Sequence, residues 1–263
     1  MSNHSALDVV ASFGERPRSH LFRQILEQGY SIVDDFLSPE DCSTVINDVY
    51  RISGVYPYDV SSQQGFNGVY RSAFIFSNVL RDLLLNVNLH SIIHQFFPTN
   101  YQLHLNRVVI NQAKQGASTV SWHRDLPHMH TFSDIPLSLS VLTFLTDSKS
   151  ESQLLIKERS HRENFYSYAS AEKISINARA GQSIVFDSNL VHMTPIPANY
   201  TTAYNLFMFT CPLLKPVVEY SSPAFFLEIS KNTYKIARIL EVLGYAYIRP
   251  RDDFEYMATK NIK

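Results

Sequence analysis

The sequence predicts a mainly β domain with helices at both ends. Three observations carry this. Between Tyr101 and Leu214 lie six short runs rich in Val, Ile, Leu, Phe and Tyr, separated by turn-rich pieces. Before them, apolar residues recur at helical spacing, and after them Ser222-Pro223 opens a further helical pattern that Gly244 closes. Several short strands at this spacing point to a sandwich or a barrel. A chain of 263 residues is long enough to bury a full core.

The elements follow in order. Residues 19–52 read as helix, short strand, helix. Phe22, Ile25 and Leu26 share one stripe that Gly29 ends, and Tyr30, Ile32 and Val33 form a brief β-prone run. Ser38-Pro39-Glu40-Asp41 then starts a helix: Ser38 as N-cap, proline in the first turn, and acids at the positive end of the dipole. Residues 53–78, with Tyr56-Pro57-Tyr58 and Phe66-Asn67-Gly68, mix turn formers with aromatics and read as an ordered loop region. Residues 79–97 read as helical, burying Leu80, Leu83, Leu84, Val87 and Ile92. The β runs are Leu103 to Ile110, Leu137 to Leu145, Gln153 to Lys157, Ile174 to Ile176, Ser183 to Phe186 and Tyr204 to Thr210. The last helix, up to Leu243, has an apolar stripe that suits core packing or a homodimer contact. We therefore expect one domain over residues 1–263: a helical cap with substrate loops (1–100), a β core (101–216) and a helical extension (217–263).

A net charge of -1 and a pI near 6.8 give no general attraction to nucleic acid or anionic membranes. Cys42 and Cys211 alone support neither a disulfide framework nor a thiolate cluster. The polar start, Met1 to His20, has no apolar signal core, and no apolar run approaches a bilayer span. A soluble, cytoplasmic protein acting on a small molecule is the expectation.

The segment Ser121-Trp122-His123-Arg124-Asp125 carries the chemistry. At a strand end, residues i and i+2 face one side, so His123 and Asp125 converge while Arg124 points away. His192, after Ser183-Ile184-Val185-Phe186-Asp187, supplies a third donor from another strand. Two imidazoles and one carboxylate hold one face of Fe(II) and leave the other open to oxygen chemistry. Zinc accepts the same ligand types. In a chain with 10 histidines the His-x-Asp pattern alone says little, and its specificity comes from its neighbours.

Those neighbours resemble the phytanoyl-CoA dioxygenase family of iron(II)/2-oxoglutarate-dependent oxygenases, from about Gln28 to Pro216. Gly29-Tyr30-Ser31-Ile32-Val33 with Phe36-Leu37-Ser38-Pro39-Glu40 looks like the family's N-terminal entry. Trp122-His123-Arg124-Asp125 looks like its first metal motif. Leu155-Ile156 with Ser160-His161-Arg162 is similar to its strand and Gly-Ser-His-Lys turn. Ala180-Gly181-Gln182-Ser183-Ile184-Val185-Phe186-Asp187 is similar to the segment feeding the distal histidine. The resemblance implies a double-stranded β-helix (jelly-roll, cupin-like) core, with His123, Asp125 and His192 as iron ligands and catalytic centre. It also implies 2-oxoglutarate and O2 as co-substrates.

Three positions depart from the pattern. Arg159 replaces the turn glycine, and Gln182 replaces the acid after Gly181. In the family an Arg that follows Asn-x-Ser/Thr holds the distal carboxylate of 2-oxoglutarate. Here Asn199-Tyr200-Thr201 is present, but the same interval leads to Asn205. An amide hydrogen-bonds a carboxylate without neutralising it. Arg107 and Lys114 are the candidate cations, with Asn111 and Thr201 or Thr202 as further hydrogen-bonding partners.

The implied reaction is hydroxylation of an unactivated C–H bond of a small molecule, coupled to decarboxylation of 2-oxoglutarate to succinate. The retained Asp125 favours hydroxylation, desaturation or cyclisation, because halogenases of similar fold lack this carboxylate. His128, Met129, His130, Arg71, Tyr58 and Phe66 are candidates for the pocket mouth. Two other readings stand beside this one: an iron oxygenase that does not use 2-oxoglutarate, and a ligand-binding relative without turnover.

Overall fold

The computed structural model describes residues 19–33, 36–55, 68–71, 73–75, 77–98, 101–113, 121–125, 134–163 and 171–211. The expected C-terminal helix, Lys114, the histidines at 128 and 130, Met129, Tyr58 and Phe66 lie outside these residues. Of Arg71, the backbone is described. No helix among the described residues is long and apolar enough to cross a membrane.

Helix α1 (His20–Gln28) is capped by the Ser19 hydroxyl, which accepts from the Phe22 amide. It ends at Gly29, whose φ of 95° lies in the left-handed region. Strand β1 (Tyr30–Val33) follows, then helix α2 (Pro39–Val55). Ser38 and Asp41 form a reciprocal cap: the Asp41 amide donates to the Ser38 hydroxyl (3.1 Å), and the Ser38 amide donates to the Asp41 carboxylate (3.2 Å). Strand β2 (Val69–Arg71) emerges from the region expected to be loop. The helical stretch expected over 79–97 is two helices, α3 (Asn78–Leu84) and α4 (Val87–Phe96). Asn86 divides them, because its side-chain oxygen accepts from the Asn88 and Leu89 amides and starts a new helix.

The β core comprises β3 (Gln102–Asn111), β4 (Ser138–Phe144), β5 (Leu154–Lys157), β6 (Lys173–Ile176), β7 (Ser183–Asp187), β8 (His192–Met193) and β9 (Thr202–Thr210). A six-stranded sheet runs β1-β7-β4-β9-β3-β2, and a three-stranded sheet runs β6-β5-β8; every pairing is antiparallel. One face of the large sheet presents Val108, Val141, Val185, Phe207 and Phe209 to helices α1 to α4. The other face packs Leu142, Phe144, Ile184, Phe186 and Leu206 against Leu154, Ile156 and Ile176 of the small sheet. Both faces of the large sheet are therefore covered. That explains why β4 and β7 are buried at every position and read as continuous apolar runs rather than alternating ones. The result is the expected jelly-roll core with flanking helices.

Candidate metal centre

His123 and His192 meet as a single antiparallel bridge that adds one residue pair to the small sheet. Each backbone amide donates to the other's carbonyl at 3.0 Å. Asp125 lies beyond this bridge, so it is not a second strand position as the i, i+2 reading expects. Its amide donates instead to the Ser188 carbonyl (3.0 Å), which holds the carboxylate beside the two rings. Arg124 points away, as expected. It is buried and donates to the carbonyls of Ser160 and Glu163, both at 2.9 Å.

The ring tautomers follow from the partners. His123 Nδ1 lies 3.0 Å from the Ser121 carbonyl and His192 Nδ1 lies 2.9 Å from the Leu190 carbonyl. A carbonyl only accepts, so each Nδ1 carries the hydrogen and each Nε2 presents a lone pair. Those lone pairs converge on Asp125: Oδ1 is 3.6 Å from His192 Nε2 and 3.9 Å from His123 Nε2. The three donor atoms lie within 4.8 Å of one another. Desolvation in the cavity, reinforced by His192, pushes the His123 pKa down to about 4, which favours the neutral, ligating form. The donor set and its open side fit an iron(II) ion.

The donors face a cavity of about 150 Å³ between the sheets, walled by Val69, Val109, Leu142 and Leu206. Its polar lining beyond the triad is Arg107 on β3, Thr194 just after β8 and Tyr204 on β9. Arg107 is the only Lys or Arg lining the cavity among the described residues. Burial raises the Tyr204 pKa to about 12, so its hydroxyl stays protonated. The Thr194 hydroxyl donates to that oxygen at 3.4 Å, which leaves the tyrosine's own hydrogen for another acceptor.

The expected co-substrate residues separate. Arg107 lines the cavity. Asn111 and Thr202, paired across β3 and β9, line a smaller adjoining pocket that shares Thr194 and Tyr204 with it. Thr201 is exposed ahead of β9. Asn205 faces away from the metal, where its side-chain oxygen accepts from Asn106 (2.7 Å) in the layer beneath the helices. Asn205 is therefore not a cavity residue, which corrects the expectation for it. Strand side chains alternate, and the inward positions on β9 are 204 and 206. The sequence reading missed Tyr204 and Thr194. Alternation along β9 would reveal Tyr204 only once its facing is known, because apolar residues occupy both faces.

A double-stranded β-helix with two histidines and one carboxylate on an open cavity defines the class: the cupin-like, non-haem metal oxygenase fold. Comparison with known families goes one step further: the chain belongs to the phytanoyl-CoA dioxygenase (PhyH) family, whose profile matches residues 25–201. The match ends immediately before β9. No curated protein sequence matches the chain. Solved structures share the fold at low identity. HygX from Streptomyces hygroscopicus, with nickel and 2-oxoglutarate bound, is 15% identical with a TM-score of 0.57, covering 74% of this chain and 88% of its own. SnoK, a non-haem α-ketoglutarate-dependent carbocyclase from nogalamycin biosynthesis, is 13% identical with a TM-score of 0.62, covering 80% and 94%. SnoN, an epimerase from the same biosynthesis, is 13% identical with a TM-score of 0.61, covering 77% and 90%.

Proposed function

We propose that this protein is an iron(II)/2-oxoglutarate-dependent dioxygenase that hydroxylates a C–H bond of a small molecule. One observation carries the reading: three metal donors and Arg107 line one cavity with apolar walls. When bound, iron(II) would activate dioxygen as the oxidant, one oxygen atom entering 2-oxoglutarate as it loses CO2 to become succinate and the other passing to the C–H carbon of the substrate. His123, Asp125 and His192 hold the metal on one side. Arg107 binds the distal carboxylate of 2-oxoglutarate, and the Tyr204 hydroxyl donates to the same group. The cation thus comes from β3, across from Leu206 of β9, rather than from β9 itself. A buried carboxylate without a cation costs on the order of several kcal/mol, so a cation from β3 meets the need that Asn205 does not. Val69, Val109, Leu142 and Leu206 exclude water around the co-substrate.

The reading is tested by adding Fe(II) and 2-oxoglutarate anaerobically. The expected result is a weak visible charge-transfer band that His123→Ala abolishes. Arg107→Gln should raise the 2-oxoglutarate Kd roughly 30- to 100-fold, about 2–3 kcal/mol, with metal affinity nearly unchanged. Metal binding without the band removes the 2-oxoglutarate reading. Under oxygen, succinate release dependent on a candidate small molecule, with that molecule gaining one oxygen, establishes hydroxylation. A product without added oxygen points to desaturation or cyclisation.

A further inference from the structure

Beneath Asp125 lies a row of three buried serine hydroxyls that the proposed reaction does not use. Ser140 Oγ donates to Asp125 Oδ2 at 2.5 Å. Ser140 Oγ is 2.9 Å from Ser188 Oγ, and Ser188 Oγ is 2.8 Å from Ser138 Oγ, which also reaches the Phe209 carbonyl at 3.1 Å. All three serines are at most 2% exposed. Each hydroxyl has one hydrogen, and the carboxylate and the carbonyl only accept. Because Ser140 gives its hydrogen to Asp125, it must receive one from Ser188. The Ser188–Ser140–Asp125 part of the row therefore runs toward the carboxylate, while the one Ser138 hydrogen is shared between Ser188 and the Phe209 carbonyl; a charge-assisted bond of the Ser140–Asp125 length is among the stronger ones available.

The two oxygens of Asp125 are thereby divided. Oδ1 faces both histidine Nε2 atoms, and Oδ2 is held by Ser140. We propose that Ser140, oriented by Ser188, restricts Asp125 to one metal bond and so keeps a position on the metal open. A free carboxylate can turn and chelate through both oxygens, filling a position that the open face needs. Ser188 acts twice, because its carbonyl also accepts the Asp125 amide. The turn that carries Ser188 leads to Leu190, whose carbonyl fixes the His192 tautomer. Ser140 and Ser188 are thus positioning residues, and their role rests on the metal-centre reading above.

The test uses the full chain loaded with Mn(II) alone, read by water-proton relaxation per bound ion and by Mn(II) affinity. In the wild type, three protein donors leave about three positions for exchangeable water on a six-coordinate ion. Ser140→Ala is expected to lower the inner-sphere relaxation by about a third, as Asp125 Oδ2 takes one of those positions. Ser188→Ala, which leaves the Ser140 hydroxyl but removes its donor, should give a smaller fall in the same direction. It decides the matter alone if Ser140→Ala does not fold. Unchanged relaxation per bound ion in folded Ser140→Ala, or in Ser188→Ala if that variant decides alone, overturns the proposal while leaving the metal centre intact. A wild type that binds no Mn(II) overturns the metal centre as well, so the two failures are distinguishable.

Discussion

Arg159 stands at φ 62°, ψ 3°, where the family's turn carries glycine. It is the only non-glycine residue at positive φ among the described residues. Its side chain is exposed, and its amide donates to the Gln28 carbonyl at 3.1 Å, joining the turn before Ser160 to the end of α1. An L-residue in this region costs roughly 1–2 kcal/mol, whereas glycine adopts it freely but loses about 0.5–1 kcal/mol of chain entropy. Arg159→Gly should therefore stabilise the protein by roughly 0.5–1 kcal/mol, seen as a higher denaturant midpoint at unchanged slope. A lower midpoint would mean that the arginine side chain contributes more than its exposure indicates. The same turn shows why Arg124 is buried. With its carbonyls tied to the Arg124 guanidinium, the Ser160–Glu163 turn braces the segment 121–125 that carries both motif ligands.

At the scale of elements, the approach of β7 to α2 depends on Gly181. Its φ is 91°, and a Cβ placed on it would lie 2.0 Å from the Leu37 carbonyl oxygen. Neither the turn nor the backbone of Leu37 can accommodate that atom without moving. Gly181→Ala should cost at least about 2–3 kcal/mol, against about 1 kcal/mol for Asn86→Ala, which removes the cap between α3 and α4. Thermal unfolding of the two variants side by side checks the order, and equal losses would show that the α2 segment yields. Gly181 was legible in the sequence as part of a motif, and so were α1, α2 and the six main strands. The strands were read because branched and aromatic residues cluster in them. Two short pieces escaped. β2 has three residues and borrows its order from β3, and β8 has two and exists through its pairing with Leu155 and Ile156. The metal triad was legible through the ordered neighbouring segments that resemble the family, since the His-x-Asp spacing alone says little. The cavity's other polar groups were not, since the facing of β9 is set by tertiary packing. A one-residue difference there exchanges Asn205 for Tyr204.

At the scale of the whole molecule, two buried groups set opposing pH dependences. Asp187 closes β7 within the core, and burial raises its carboxyl pKa to about 7, with the Asn189 amide and the Arg124 guanidinium pulling it back down. Its unfolded value is near 3.9, so between about pH 4 and 7 the native state keeps a proton that the unfolded chain releases. Its contribution to stability is full below that window, falls as pH rises through it and is level above it. His161, buried beside Arg162 and Arg124, behaves in the opposite way. Burial lowers its pKa to about 4 while its Nε2 donates to the Leu26 carbonyl. The unfolded chain takes up that proton first as pH falls below about 6.5, so the His161 contribution is lost toward pH 4. Over the shared range the two offset each other, and the wild-type profile alone resolves neither. Asp187→Asn separates them: it keeps the volume and the acceptor for the Asn189 amide and removes the charge. The stability difference, variant minus wild type, should grow by on the order of 2–3 kcal/mol from about pH 5 to about pH 8. Denaturant melts at those two pH values, with metal absent from both, measure it. A difference that stays constant would mean that Asp187 is already ionised throughout, with Arg124 as its full counter-charge.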